Sequence, residues 1–305
     1  MYHVSVLSQQ VVEALRPETA MILADLTLGD GGHSLALLQR MPLQGRVVAL
    51  DLDRDAIRRA QLRLEEFSTR FFPMQGNFRE VKNLFQQAGI EQVDGLVADL
   101  GISSLQVTDA SKGFSFSAKG PLSMRMDGAS WGTAEQVINE SDEKRLADII
   151  WQYGEERNNR KIAAALVRAR GQSPIRDTER LAQVIKGVVP GRYAIKTLAR
   201  VFQAFRIYVN DELENLRAML PQALALLRSG GRAVFISYHS LEDKEIKFFM
   251  HSHQQPCICP PSLPICVCHR TADIKIIGRM ISVAAEEREK NKSSRSARMR
   301  VLEKL

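Results

Sequence analysis

Residues 25–34, DLTLGDGGHS, pack three glycines and two acids into one short stretch, and further acids, Asp51 and Asp99, close later apolar runs. Gly29, Gly31 and Gly32 suit the first turn of a doubly wound sheet, where bare backbone must come close to a nucleotide-type ligand. Asp51 ends the next apolar run, the usual place for a carboxylate that accepts hydrogen bonds from two ribose hydroxyls. That pair serves NAD as well as S-adenosylmethionine (SAM). Charge separates the two: Asp30 inside the loop would repel a pyrophosphate, whereas the sulfonium and amino groups of SAM welcome acids. Ser34 also replaces the third glycine of the dinucleotide fingerprint, so these residues favour SAM.

The remaining reactive side chains narrow the transfer. Methylation at a pyrimidine carbon needs a cysteine nucleophile in the cleft. All four cysteines instead lie between positions 257 and 268, away from the strand ends, which points to nitrogen or oxygen as the acceptor. An exocyclic amine needs acceptors that hold its hydrogens and localise its lone pair. Asp99 with Ser103 and Ser104 supplies them, while His239 is placed to take a proton or touch the base and Tyr238 to stack on it. The target nucleotide must be unstacked to reach a buried methyl group. Cys257, Cys259, Cys266 and Cys268 form two CxC pairs around a proline-rich spacer, a ligand set for one structural tetrahedral zinc, with His269 as a substitute ligand. Near the end of the chain Lys292, Arg295, Arg298 and Arg300 follow Arg288 and Lys290, with only Glu289 among them, as a grip on a phosphate backbone. Lys196, Arg200 and Arg206, near Phe202 and Phe205, offer a second contact of that kind.

Apolar runs at Ile22–Asp25, Val47–Asp51, Phe71–Met74 and Val93–Leu100 alternate with helical periodicity, which predicts a parallel sheet. Asp55 precedes a helix carrying Ala56, Ile57 and Ala60 on one face. The next strand, Ala233–Ile236, follows only after about 130 residues, far more than a normal crossover. The intervening segment is helical in pattern, with Ser141 as a cap, Leu146, Ile149 and Ile150 on one face, and a second helix stopping at Gly171. The expected fold is a Rossmann-like α/β domain formed by residues 1–105 and 210–305, with a helical, substrate-recognising domain inserted at 106–209. In 305 residues, 45% hydrophobic, a sizeable core is possible, and 42 basic against 35 acidic side chains leave a net charge of +7, compatible with a polyanionic partner. No apolar run reaches the length of a membrane span and the N-terminus lacks a signal-peptide pattern, so a cytoplasmic protein is expected.

Six segments, DLTLGDGGHS (25–34), ADLGISSLQ (98–106), KGFSFSAKGPLSMRMD (112–127), FQAFRIYVNDEL (202–213), ISYHSLEDK (236–244) and NKSSRSARMRV (291–301), together strongly resemble one family, ribosomal RNA small subunit methyltransferase H, or MraW. The resemblance runs in order from His3 to the basic tail. It implies a class I SAM-dependent methyltransferase of the bacterial cytoplasm, acting on the exocyclic N4 of a cytidine in the decoding region of 16S ribosomal RNA within the small subunit. It also implies a cofactor site of Gly31, Gly32, His33, Asp51, Phe78, Asp99 and Gln106. The chain departs from the family pattern at Leu105, Ser123, Tyr238 and Lys244, where Pro, Asp, Phe and Arg are usual. Three other functions compete. A DNA amino-methyltransferase would carry a proline-proline-aromatic motif after Asp99, and it is missing; a non-catalytic RNA-binding assembly factor would have lost the loop's acids and glycines, which are intact; a nicotinamide oxidoreductase ranks third.

Overall fold

A computed structural model describes residues 5–102, 107, 109–127, 131–260 and 267–305, without the side chains of Lys290, Lys292 and Ser293. The chain opens with α1 (Ser8–Leu15), β1 (Ile22–Asp25), α2 (Gly32–Leu38), β2 (Arg46–Asp51), α3 (Arg54–Arg63), β3 (Phe71–Gln75), α4 (Val81–Gln87) and β4 (Val93–Asp99). Among the described residues there follow α5 (Ala134–Glu140), α6 (Glu143–Gly154), α7 (Asn159–Gln172), α8 (Thr178–Lys186) and α9 (Gly191–Asn210). Then come α10 (Glu212–Leu226), β5 (Leu227–Ser237), α11 (Ser240–Gln254), β6 (Ile274–Ile276), β7 (Ile281–Ser282), α12 (Ala285–Lys290) and β8 (Arg298–Lys304). The contacts divide this chain into two compact units, residues 1–101 with 213–305, and residues 102–212. Among the described residues no helix is long and apolar enough to cross a membrane.

The first unit is built on a sheet of order β3-β2-β1-β4-β5-β8-β6, with β7 also paired to β8. The five strands from β3 to β5 are parallel, and β8 runs antiparallel between β5 and β6. β2 and β4 are buried along nearly their whole length because helices cover both faces, so their sequences are continuous apolar runs. Alternation within each strand sorts the two faces. Leu23, Val47, Ala49, Val97 and Val234 pack with α1, α2 and α3, while Ala24, Val48, Leu50, Leu96, Ala98 and Phe235 pack with α4, α10 and α11. All parallel strands therefore deliver their C-terminal ends to one edge, and Asp25, Asp51 and Asp99 are the last residues of β1, β2 and β4.

The second unit has its own core, in which Leu146, Ile150, Ile162, Leu166, Val201 and Phe205 are fully buried. Its helix starts are set by caps. Asp142, not Ser141, caps α6 by accepting from Arg145 N at 2.6 Å, and Ser141 closes α5 instead. Gly171 does not stop α7, which continues to Gln172 and ends at the extended Ser173. Of the three basic residues expected to reach a phosphate from this unit, Arg206 is bidentate to Glu212 (2.8 and 2.8 Å) and Arg200 lies 3.4 Å from the buried Glu156, leaving Lys196 exposed.

The basic tail is not a loose arm. Arg298 and Arg300 sit on β8, and both reach the nearly buried Asp243 on α11: Arg300 Nε donates to Oδ1 (2.7 Å), and Arg300 Nη2 and Arg298 Nη1 donate to Oδ2 (3.1 and 3.0 Å). Burial would raise the Asp243 carboxyl, but the bonds and charges of Arg300 and Arg298 outweigh it and hold it below the ordinary carboxylate range. A depressed carboxyl stabilises the fold above its unfolded pKa and loses that contribution as pH falls through its folded pKa. Asp243→Asn is expected to cost about 2 kcal/mol in urea unfolding at neutral pH, with the deficit closing only in strongly acid solution.

Candidate active site

The loop after β1 is tied to the end of β2. Leu28 N donates to Leu50 O (2.8 Å) and Gly29 N to Asp51 Oδ2 (2.7 Å). Asp51 Oδ1 accepts from Asp53 N (2.8 Å), and Asp53 caps α3 by accepting from Asp55 N (2.9 Å). Burial pushes the Asp51 carboxyl up to about 6, against the two backbone donors and with the help of the charges on Asp53 and Asp25. Gly31 begins α2 at φ +75°, and a Cβ there would stand 2.7 Å from Leu64 Cδ1; one on Gly32 would stand 2.0 Å from Ser5 Oγ. Those two glycines answer to the protein's own packing. Gly29, at φ +50°, is the one that faces open space, with nothing within 4 Å of where a Cβ would be. Asp30 does not stand as the bare charge that the sequence suggests, because Arg59 Nε lies 2.8 Å from its Oδ1 and Arg63 Nη1 donates to its carbonyl (3.1 Å). Its repulsion of a pyrophosphate is correspondingly reduced.

Behind the loop, six side chains interlock. Asp25 is fully buried and accepts from Ser34 Oγ (2.8 Å) and Thr27 N (3.2 Å). Thr27 Oγ1 in turn accepts from Asp99 N (2.6 Å). His33, in the first turn of α2 and 4% exposed, places Nε2 3.4 Å from Asp99 Oδ2, while its Nδ1 has no hydrogen-bond partner among the described residues. Tyr238, one residue beyond β5, donates its hydroxyl to Asp99 Oδ1 (2.8 Å), a contact permitted by the register that pairs Asp99 with Ile236.

Electrostatics sharpens this arrangement. Burial drives the Asp25 carboxyl upward, opposed by His33 and the bonds from Ser34 and Thr27. Burial would lower His33, but the bond to Asp99 and the charges of Asp99 and Asp25 raise it. Burial, then the Asp99 charge, pushes the Tyr238 phenol far above its ordinary value, so it remains a donor. Three carboxylates thus crowd the ends of neighbouring strands β2, β1 and β4, with His33 between two of them. An open position at Gly29, an orphaned imidazole nitrogen and an acid-rich donor set fit a cationic nucleoside such as SAM.

Phe78 opens a short 3-10 turn after β3 and is half-buried against the core. His239 is the N-cap of α11: its Nδ1 accepts from Glu242 N (3.3 Å), Glu242 Oε2 accepts from the backbone of Tyr238 (2.8 Å) and His239 (3.4 Å), and Nε2 lies 3.2 Å from Glu242 Oε1 without hydrogen-bond alignment. Nδ1 thus serves as the N-cap acceptor of α11. Ser103, Ser104, Gln106 and Cys266 lie outside the described residues, as does the side chain of Lys292. Arg295 is exposed on a 3-10 turn just before β8. Cys257, Cys259 and Cys268 come together after α11. The tyrosine hydroxyl, Thr27 and Ser34 were not singled out for these bonds by sequence. The signal was available for Tyr238 alone, since adjacent parallel strands carry their C-terminal residues to the same edge.

The sheet order, with one antiparallel strand slotted beside a parallel half, and the acids at its strand ends define a Rossmann-like SAM-dependent methyltransferase. The chain belongs to the MraW methylase family, whose model matches residues 1–305. It is 44% identical to the ribosomal RNA small subunit methyltransferase H of Carboxydothermus hydrogenoformans, covering 99% of this chain and 98% of that one, and 41% identical to the protein of the same name from Syntrophotalea carbinolica over the same shares. Among solved structures, a putative rRNA-methylase from Clostridium thermocellum aligns over 100% of both chains at 11% identity, with a TM-score of 0.48.

Because ribose hydroxyls bond to the ionised form of a strand-end carboxylate, SAM affinity should be highest above the Asp51 pKa and fall as pH drops through it. Calorimetric titration from about pH 7.5 to about pH 5 is expected to show a loss approaching tenfold per pH unit below about 6, and Asp51→Asn to bind weakly with a flattened profile. An unchanged profile in that variant would assign the dependence to another group.

Proposed function

We propose that this chain methylates the exocyclic N4 of a cytidine in the decoding region of 16S ribosomal RNA, in the cytoplasm, on the small ribosomal subunit or a precursor of it. Asp99 carries this assignment. Its carboxylate ends β4 beside the glycine loop, is one-fifth exposed, and is oriented by Tyr238 on one oxygen and His33 on the other. A carboxylate has about four acceptor positions, so lone pairs remain for an incoming amine after both bonds are made. Whole-length kinship with proteins named for the ribosomal RNA of the small subunit supports the choice of RNA.

When bound, SAM supplies a methyl group already activated by its sulfonium. The protein's task is then alignment, which by itself accounts for much of the acceleration in such reactions. Asp51 would hold the ribose, Gly29 and its neighbours leave room for the nucleoside, and Gly31, Gly32, His33, Phe78 and Gln106 complete the cofactor set that the family pattern implies. Asp99 accepts a hydrogen from the amine, localises its lone pair toward the methyl group and draws off the positive charge that develops on nitrogen. Ser103 and Ser104 remain candidates for a second acceptor. The helical unit, 102–212, is assigned to RNA recognition, with Lys196 and the exposed pair Arg192 and Tyr193 as its cation and stacking surface. Lys292 and Arg295 extend the phosphate contacts, whereas Arg298 and Arg300 are chiefly committed to Asp243. A metal ion held by the cysteines would serve structure, since transfer from a sulfonium needs no Lewis acid.

Labelled methyl transfer from SAM to small subunits, naked ribosomal RNA and duplex DNA tests this, with nucleoside digestion and mass spectrometry to locate the label. Label recovered as N4-methylcytidine from the RNA is the expected result. Recovery only from DNA, or as a carbon- or ribose-methylated nucleoside, would overturn the assignment.

A further inference from the structure

Between α11 and β6 the chain makes a long excursion, residues 255–273, whose described residues, 255–260 and 267–273, contribute no strand to the sheet. Its base is cross-tied: His253 Nδ1 lies 2.9 Å from both carboxylate oxygens of Asp273, and Asp273 N donates to His253 O (3.4 Å). Beyond that tie, the described apolar residues Ile258 (66% exposed) and Val267 (64%) stand in solvent. What does meet there is sulfur. Cys257, Cys259 and Cys268 bring their Sγ atoms within 4.8 Å of one another, and the Cys257 and Cys268 sulfurs are 3.8 Å apart.

That spacing discriminates between two kinds of chemistry. A disulfide would need about 2.05 Å. Two thiolates on one tetrahedral zinc, each with a Zn–S bond of about 2.3 Å, stand about 3.8 Å apart by simple geometry. From this coincidence, and from the two CxC pairs in the sequence, we propose that the excursion binds one zinc ion through Cys257, Cys259 and Cys268, as a clip that closes its outer end. Each coordinating thiol loses its proton to solvent as the Zn–S bond forms, and the ion undergoes no redox change. Thiolate ligands favour zinc over magnesium, manganese or calcium. The clip stands apart from the strand-end acids, so its loss should loosen the excursion without removing any group that faces SAM.

The full-length protein, expressed with added zinc and purified under a reductant without chelator, should carry one zinc per chain by elemental analysis. Cobalt substitution should produce thiolate-to-cobalt charge transfer with the visible bands of a tetrahedral site. The triple variant Cys257→Ser, Cys259→Ser, Cys268→Ser should lose the ion, keep SAM affinity within about twofold, and be cut by protease within 255–273 at least about tenfold faster than the zinc-loaded protein. Metal content below a tenth of an equivalent in the reduced, zinc-supplied wild type, roughly the level of adventitious binding, would overturn the proposal. So would full retention of zinc by the triple variant, or alkylation trapping that finds a Cys257–Cys268 disulfide in freshly lysed cells. If the triple variant fails to fold, the metal content and cobalt spectrum of the wild-type protein decide the matter alone.

Discussion

Three carboxylates are forced together at one edge of the sheet. Parallel strands end on the same side, and β2, β1 and β4 each end in aspartate, so burial and neighbouring charge raise the cost of ionising Asp25 and Asp51. The protein meets this cost with short, specific bonds: backbone amides for Asp51, a serine and an amide for Asp25, a phenol and an imidazole for Asp99. His33, which burial would lower, is raised by its bond to Asp99 and by the charges of Asp99 and Asp25. Such a site has surplus negative potential toward its opening, and a ligand with a sulfonium and an ammonium group relieves it. Phosphate-bearing cofactors have no such advantage, even though Asp30 itself is neutralised by Arg59.

From that constraint the surrounding choices follow. Gly31 and Gly32 let α2 approach α3 and the N-terminal segment closely enough to deliver His33 to Asp99, which is a packing requirement before it is a binding one. β5 must stay in register with β4 so that Tyr238 can reach the same carboxylate, and β8 braces β5 from the other side. The Asp243 clamp on Arg298 and Arg300 fastens β8 to α11, whose first turn is capped by His239 and Glu242 immediately after Tyr238. His239, Glu242, Asp243, Arg298 and Arg300 thus hold in place the strand that leads into Tyr238.

The strands and the inserted helical segment were legible because their signals are strong and local: uninterrupted apolar runs ending in aspartate, then a helical periodicity with no strand for more than a hundred residues. Helix ends were less so. Ser141 and Asp142 are both competent caps, and only the chain's path selects the second; Gly171 is the penultimate residue of α7, which runs one residue past it. The site acids were found from their strand-end positions, but their partners were not, because a hydrogen bond between residues 99 and 238 depends on strand register. The same limit explains His239 and the tail arginines. Residue type suggests a base and a phosphate grip but does not announce the contacts these side chains make with Glu242 and Asp243.

The central claim is that Asp99 acts on the amine as well as shaping the site. It is tested most directly by the single-turnover rate of methyl transfer to the RNA at saturating SAM in the isosteric variant Asp99→Asn. A fall of at least about a hundredfold, with SAM affinity changed by no more than a few fold, is the expected result. A rate within about threefold of wild type would contradict the account and leave Asp99 a purely structural carboxylate.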